Sequence, residues 1–219
     1  MAGGTRSFAV IGLGAFGSTV ATELTRFGNR VIGLDLDDRR VSQMTATLSS
    51  AVILDTTDEG ALREAGIDRY DVALVAIGDD LESSILTVMN LKLMGLSEIW
   101  VKAANKAHHR ILSKLGVDRV IQPEQEMGRH IAQMLNNPAL QDYVSLGNGY
   151  SVVNIVVPEH LAGRHMTALG LGTTYDLRLL GVMRGSEFRH AAEDSLLETD
   201  DKLIVLGKRH DLRKFGDSL

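Results

Sequence analysis

The sequence contains no cysteine in its 219 residues. Disulfide bonds and zinc sites built from thiolates are therefore excluded. We expect the stability of the protein to come from the packing of its core and from association with other copies of the chain.

The chain also lacks a strongly basic region. Its formal net charge is −5, its pI is near 5.8, and its basic pairs, such as Arg39-Arg40 and Lys208-Arg209, are short. Proteins that bind a polyphosphate backbone carry clustered positive charge, which is missing here. We therefore expect no nucleic-acid partner.

Long hydrophobic runs are absent as well. No apolar run approaches the roughly 20 residues that are needed to span a bilayer. The first predicted strand begins at Phe8, which leaves no room for a cleaved signal sequence. These features predict a cytoplasmic protein.

Catalytic signatures are missing too. No tyrosine is followed four residues later by lysine, and the sequence contains neither a GxSxG elbow nor an HExxH motif. The adjacent pair His108-His109 is expected to lie on a solvated helix surface, since neighbouring helical residues do not share a face. The carboxy-terminal region is small for a substrate domain. We therefore expect no enzymatic activity.

The amino-terminal part of the chain alternates short aliphatic runs with longer segments of helical periodicity. This pattern predicts strands at residues 8–11, 31–34, 51–54, 72–77, 99–102 and 119–121, and helices at 16–27, 38–48, 59–65, 81–94 and 106–115. Almost continuously apolar strands are typical of a parallel sheet with helices on both faces. The predicted fold is α/β, with a Rossmann-like, doubly wound sheet of six parallel strands.

The pattern changes after Pro123 to one amphipathic helix at residues 126–135. Its apolar residues Met127, Ile131 and Met134 are expected to make either subunit contacts or core contacts within the chain. Asn137-Pro138 should end this helix, because proline disfavours helical geometry in the residue before it.

A small α+β domain is predicted for the remainder of the chain. Strands are expected at residues 150–157, 177–183 and 202–206, with a short helix near 163–169 and a final helix from Arg209. The predicted limits are residues 1–124 for the Rossmann-like domain, 125–142 for the connecting helix and linker, and 143–219 for the small α+β domain.

The clearest motif is a GxGxxG sequence directly after the first predicted strand. It consists of Gly12, Leu13, Gly14, Ala15, Phe16 and Gly17. In such loops the first glycine permits a tight turn, the second lets backbone amides approach a pyrophosphate, and the third lets the helix pack closely on the strand. The helix amino end then faces the anion. The motif indicates either phosphate binding or a structural turn alone.

Further candidates follow the other strands, at the edge where ligands bind in open α/β folds. Asp35 is placed to accept hydrogen bonds from ribose hydroxyls, and it would repel a 2′-phosphate. Asp55, Thr56 and Thr57 either lie beside an adenosine or cap the following helix, since such residues favour helix caps. Lys102 either lies near phosphates or is simply solvated. Ala76, Ile77 and Gly78 are expected to frame the adenosine from the next strand end.

These residues together are similar to those of a known family. Residues 8–14, Phe16-Gly17, Asp35, 76–78, 101–103, Pro123-Glu124 and Met127-Gly128 resemble the cytosolic subunits of Ktr/Trk potassium uptake systems. The similarity covers residues 7–215. It includes the order of a nucleotide-binding domain, a crossover helix and a small carboxy-terminal domain of the RCK type.

The resemblance implies a regulatory function. Family members form dimers that assemble into an octameric ring, and this ring docks beneath a dimeric membrane pore protein and gates potassium flux. An integral-membrane potassium-transporting subunit is thus the implied partner, ATP or ADP the implied ligand, and the cytoplasmic face of the membrane the implied location. The resemblance also implies that Glu124 helps to hold Mg²⁺ between neighbouring subunits, whereas the sequence by itself indicates a charge placed at a helix start.

One position departs from the family pattern. An arginine often follows the second glycine in Ktr-type subunits and reaches a neighbour's nucleotide, but here the residue is Ala15. The lost contact is worth about 1.5–3 kcal/mol, so discrimination between ATP and ADP should change, and NAD(H), bound by related Trk subunits, becomes a rival ligand. Cyclic di-AMP, another family ligand, would fall near residues 169–180, where Gly170, Gly172 and Asp176 do not match a basic site.

Two other functions remain alternatives at the sequence level. One is a small NAD-dependent oxidoreductase whose active site is completed by another chain. The other is a nucleotide-sensing regulator of a different transporter or channel.

Overall fold

The computed structural model describes residues 6–136, 140–190 and 195–219. The chain divides into two compact units, Met1–Pro123 and Glu124–Leu219. The first unit contains two apolar clusters and the second unit contains one. No helix within the described ranges is long and apolar enough to cross a membrane.

The first unit is built on a six-stranded sheet in which every neighbouring pair is parallel. The strand order is β3-β2-β1-β4-β5-β6. The strands are β1 (Ser7–Ile11), β2 (Arg30–Asp35), β3 (Ser50–Ile53), β4 (Val72–Val75), β5 (Glu98–Lys102) and β6 (Arg119–Ile121). The predicted doubly wound sheet is confirmed, and its order reverses between β1 and β4.

Five helices connect these strands: α1 (Ala15–Arg26), α2 (Asp38–Met44), α3 (Glu59–Glu64), α4 (Leu81–Leu93) and α5 (Lys106–Lys114). Each of α2 to α5 is preceded by an Asp or Asn whose side chain accepts a backbone N–H from the first turn of the helix. These capping residues are Asp37, Asp58, Asp80 and Asn105. A glycine with positive φ follows each of α1, α3, α4 and α5 and ends the helix there.

Two apolar clusters cover the two faces of this sheet. Within β1, Ala9 and Ile11 belong to one cluster, whereas Val10 belongs to the other. Successive side chains of a strand point to opposite faces, so a strand covered on both faces must be apolar throughout. This explains the continuous aliphatic runs of the sequence.

The second unit contains a five-stranded antiparallel sheet in the order β10-β9-β11-β8-β7. Its strands are β7 (Leu140–Gly147), β8 (Tyr150–Val156), β9 (Arg178–Arg184), β10 (Glu187–Arg189) and β11 (Lys202–Lys208). Its helices are α6 (Pro123–Asn136), which begins at the unit boundary, α7 (Leu171–Thr174) and α8 (Arg209–Gly216), with 3₁₀ turns at Glu159–Leu161 and Met166–Leu169.

The sequence pattern did not predict β7 and β10. In β7, Val144 and Leu146 are exposed, and β10 is only three residues long and exposed throughout, so neither strand shows an inward apolar alternation. Helix α6 also starts earlier than expected, because proline is accepted in the first helical turn. The predicted break at Asn137-Pro138 lies outside the described residues.

A buried ion pair holds the end of the second sheet together. Asp201 is 1% exposed and accepts two bonds of 2.8 Å from the guanidinium of Arg184, and the N–H of Glu198 donates a third at 2.9 Å. Burial raises the pKa of Asp201, but these hydrogen bonds outweigh it and hold the pKa below 3.8. The pair joins β9 to the turn that leads into β11.

Replacing this carboxylate should destabilise the second unit. We expect Asp201→Asn to lower the free energy of unfolding by about 3 kcal/mol, since it leaves Arg184 without its buried partner. The folded pKa lies below the unfolded value, so the stabilisation is present above pH 3.8 and is lost as the pH falls through the folded pKa. Urea unfolding at pH 7 and at pH 3 measures both effects.

The exposed pair Arg189–Glu187 provides the control. We expect Arg189→Gln to change stability by less than about 1 kcal/mol, as for other solvent-screened pairs. Equal losses in Asp201→Asn and Arg189→Gln would contradict the assignment of a structural role to the buried pair.

Candidate functional site

The candidate site lies at the carboxyl edge of the parallel sheet. The loop after β1 carries the GxGxxG motif, β2 ends at Asp35, and β5 ends at Lys102. Connections from neighbouring strands depart in opposite directions where the order changes between β1 and β4, which opens a crevice at this edge. The structure thus brings the motif and the other strand ends to one edge of the first unit.

Gly12 turns the chain sharply at the end of β1. Its φ is +92°, a conformation that side chains disfavour, and its N–H donates to the carbonyl of Leu34 at 2.7 Å. A Cβ at this position would lie 3.0–3.1 Å from the backbone of Ala76 and Ile77. The loop therefore lies close to the backbone that follows β4, and only glycine is accommodated at position 12.

The other two glycines of the motif differ sharply in their surroundings. A Cβ on Gly17 would lie 1.8 Å from the carbonyl oxygen of Gly12, so α1 packs against the loop without space for a methyl group. A Cβ on Gly14 would meet no atom within 4 Å. Gly17 is thus required for packing, whereas the space beside Gly14 can admit another group close to the backbone.

The amino end of α1 has no side-chain cap. Gly14 precedes the helix in an extended conformation and contributes no acceptor, unlike the Asx residues that cap α2 to α5. Amides in the first turn of a helix lack partners within the helix and carry the positive end of its dipole. This end of α1 is suited to an anion, and the adjacent Ala15 is exposed.

Asp35 holds the glycine loop in place. Its side chain is 8% exposed, and its Oδ2 accepts the N–H of Leu13 at 2.7 Å. Its Oδ1 accepts the N–H of Asp37 at 2.9 Å, and Arg40 lies 3.4 Å from Oδ2. A carboxylate offers about four acceptor positions, so Asp35 can still accept a hydroxyl. Arg40 was missed by the sequence, although it follows Asp35 by only five residues and lies in α2.

The segment after β3 is fixed partly by α4. The buried hydroxyl of Thr56 lies 2.7 Å from that of Thr87, and Nδ2 of Asn90 donates to the carbonyls of Thr56 and Thr57. Asp55 accepts the side-chain and backbone hydrogen bonds of Thr57, which lower its pKa. The alternative of a helix cap is wrong for these residues, because Asp58 caps α3.

The wall on the other side of the crevice includes the segment after β4 and the end of β5. Ala76 is buried, and its N–H donates to the carbonyl of Ile11 at 2.6 Å. A Cβ on Gly78 would lie 3.2 Å from Nζ of Lys102, and that Nζ lies 5.9 Å from the ring centroid of Phe16. Lys102 therefore places a positive charge beside the start of α1.

The structure corrects the prediction for His108 and gives the position of Glu124. The solvated position predicted for His108 is wrong, because this residue is fully buried and its Nδ1 accepts the N–H of Ala104 at 3.2 Å. Burial lowers its pKa. Glu124 lies exposed in the first turn of α6, in the second unit. Within the described ranges, no group of three or more His, Asp or Glu residues is arranged to hold a metal ion.

Comparison with known proteins shows the family of this chain. The family models of the TrkA-N domain and the TrkA-C domain match residues 8–123 and 151–219. Ktr system potassium uptake protein A of Bacillus subtilis is 34% identical over 96% of this chain and 95% of its own length. Ktr system potassium uptake protein C of the same organism is 36% identical over 96% of each chain. This chain belongs to the TrkA/KtrA family of potassium uptake proteins.

Solved structures agree on the fold of this TrkA/KtrA family member. The RCK domain of GsuK matches with a TM-score of 0.66 at 12% identity, covering 98% of this chain and 48% of that one. The GsuK channel bound to NAD matches with a TM-score of 0.63 at 11% identity, covering 97% of this chain and 39% of that one. The TrkA/KtrA chain spans less than half of each GsuK chain, and at this identity the likeness establishes the RCK fold alone.

The contrast between Gly14 and Gly17 can be tested by adding one methyl group to each. We expect Gly14→Ala to fold normally, because φ is −63° and the space is open, but to bind nucleotides at least about tenfold more weakly, a cost of about 1.4 kcal/mol. We expect Gly17→Ala to lose about 3 kcal/mol of stability through overlap with Gly12.

Thermal unfolding and calorimetric titration with ATP, ADP and NADH measure these two outcomes separately. Wild-type nucleotide affinity in Gly14→Ala would contradict the placement of phosphates at this end of α1.

Proposed function

We propose that this chain is a nucleotide-sensing regulatory subunit that gates a potassium-transporting membrane protein and has no catalytic reaction of its own. The observation that carries the proposal is the uncapped amino end of α1 at the sheet's switch point, in a member of the TrkA/KtrA family. The site has features suited to an anion, whereas the sequence contains no tyrosine–lysine pair at a spacing of four, no GxSxG elbow and no HExxH motif. Binding is therefore the activity that the residues support best.

The proposed ligand is an adenine nucleotide, with ATP, ADP and NAD(H) as the candidates. Its phosphates would lie against the backbone of residues 12–17, with Lys102 nearby, and its ribose would donate to Asp35. The adenosine would lie beside Asp55 and Thr57. The buried contact between the hydroxyls of Thr56 and Thr87 would keep this segment in place. The backbone of residues 76–78 would close the crevice opposite.

Control of a transporter requires more than binding. A ligand shifts an equilibrium between two shapes only by its difference in affinity for them. We propose that subunits pair and assemble into an octameric ring whose shape responds to the nucleotide and is sensed by the membrane subunit at its cytoplasmic face. The exposed apolar residues Met127, Ile131 and Leu135 of α6 are suited to subunit contacts. Glu124 is proposed as a ligand of Mg²⁺ between neighbouring nucleotides.

The position of Ala15 offers a direct test of nucleotide preference. We expect Ala15→Arg to raise the affinity for ATP relative to ADP by about tenfold or more, because a charge-assisted contact to the terminal phosphate is worth about 1.5–3 kcal/mol. Ala15 is exposed at the start of α1, so the larger side chain fits. Calorimetric titration of the wild type and the variant with ATP, ADP, NAD and NADH, with and without Mg²⁺, measures the change.

Ala15→Gln is the matched control, since it adds length without charge. We expect it to leave the ratio of ATP to ADP affinity within about twofold of the wild type, because no charge-assisted bond is formed. Tight ATP binding by the wild type with ADP excluded would contradict the role assigned to this position. Oxidation of NADH by the protein with a carbonyl substrate would instead support an oxidoreductase.

The proposed partner can be tested in cells that lack their own potassium uptake systems. We expect coexpression of this chain with a Ktr-type membrane subunit to restore growth at low potassium, and the two proteins to copurify from solubilised membranes. Gly14→Ala should still copurify but should reduce growth, since the variant folds and loses nucleotide response. Normal growth with the membrane subunit alone would argue against regulation of that partner by this chain.

A further inference from the structure

The carboxy-terminal unit contains a pocket whose described lining residues all belong to that unit. It is bounded by α6, by β7 and β8 of the antiparallel sheet and by α8, and its volume is about 510 Å³. Side chains from all four elements line it, including Arg129, Gln133, Tyr143, Ser151 and Arg213. None of residues 169–180, where cyclic di-AMP is expected from the family resemblance, is among the lining residues.

The lining of this pocket is strongly positive although the chain as a whole is negative. Three arginines contribute to it, Arg129 from α6 and Arg209 and Arg213 from α8, and the described lining contains no acidic side chain. The net charge of the whole chain is −5. Three guanidinium groups around one cavity repel one another unless an anion lies between them. The charge pattern therefore indicates an anionic ligand.

Most of the hydrogen-bonding capacity of these arginines is unused. Nε of Arg129 donates to the carbonyl of Gln125 at 3.1 Å, and Nε of Arg213 lies 3.7 Å from an exposed carboxylate of Asp217. Over the described ranges, no carboxylate pairs with Arg209. A guanidinium offers five N–H donors, so each of the three retains donors for a ligand. Such donors form paired bonds with phosphate oxygens.

Ser151 supplies an independent observation. It is 1% exposed, it lines the pocket, and its Oγ has no hydrogen-bond partner among the residues that the structure describes. Its neighbours on the same face of β8, Val153 and Ile155, are core residues, so the hydroxyl interrupts an otherwise apolar inward row. A buried hydroxyl without a partner is unfavourable, and natural proteins keep few of them. An acceptor oxygen in the pocket would satisfy it.

The size of the cavity indicates more than an inorganic ion. Pockets of about 300–1,000 Å³ are typical of small organic ligands, and 510 Å³ lies within that range. Tyr143, which is stacked on His130 at 5.1 Å between ring centroids, provides an aromatic wall beside the arginines. A phosphate group among the arginines would leave space for an organic part against this wall.

We infer that this pocket binds the phosphate group of a small phosphorylated compound, as a second ligand site of the chain. Arg129, Arg209 and Arg213 hold the phosphate oxygens, and the hydroxyl of Ser151 donates to one of them. This site goes beyond the nucleotide sensing proposed above, because all of its described residues belong to the other compact unit.

The experiment is a calorimetric titration of the full-length protein with inorganic phosphate and with glycerol 3-phosphate. We expect saturable binding of both, and a loss of about tenfold or more in affinity in Arg209→Gln and in Arg213→Gln, as for the removal of a charge-assisted hydrogen bond. Tighter binding of glycerol 3-phosphate would assign the rest of the cavity to an organic group, whereas equal binding would identify free phosphate as the ligand. Arg189→Gln, which removes the same charge from β10, should stay within about twofold of the wild type.

Ser151→Ala separates ligand binding from folding. We expect this variant to bind both probes about tenfold more weakly, while its melting temperature stays equal or rises, because an unsatisfied buried hydroxyl is removed. A lower melting temperature with unchanged binding would show that the hydroxyl is structural and would overturn its role. Absence of saturable binding in the wild type, or equal losses in Arg189→Gln, would overturn the site itself. So would equal affinity for citrate, which carries carboxylates but no phosphate.

Discussion

The close approach of α1 to the end of β1 is the constraint on which the first unit depends. Gly17 lies so near the carbonyl of Gly12 that a single Cβ would overlap it, and Gly12 in turn lies against the backbone after β4. These contacts fix where α1 begins and where its first-turn amides are placed. Because the contacts are made by backbone atoms, they leave no freedom for a larger residue at either position. The open space beside Gly14 follows from the same geometry.

Asp35 connects this backbone arrangement to the charge of the site. Its carboxylate accepts the N–H of Leu13, so the glycine loop and the end of β2 move together. The same carboxylate faces Arg40, which offsets part of its negative charge close to the proposed ribose position. In the proposed complex the same carboxylate would contact both the glycine loop and the ribose, and it would thereby link the ligand to the backbone at the start of α1.

The second unit has a different design. Its core is an antiparallel sheet covered by Leu212 and Phe215 of α8, and the buried carboxylate of Asp201 is paired with the partly exposed guanidinium of Arg184. Positive charge is concentrated where α6, α8 and the sheet form a cavity. The two units therefore offer two kinds of proposed anion site. One is made of backbone amides at a helix end, and the other is made of arginine side chains around a buried hydroxyl.

The sequence by itself determined the class of the first unit, most of its boundaries and the glycine loop. Strands buried on both faces must be continuously apolar, helices stop at glycine, and the GxGxxG spacing follows from backbone geometry, so each of these signals is local. Only the tertiary structure decided that Thr56 turns inward to Thr87 and that His108 is buried. It also decided the pairing of Arg184 with Asp201 and the presence of three arginines and Ser151 in the lining of one pocket. These features join residues far apart in the chain, and no local periodicity records which distant side chains packing will bring together.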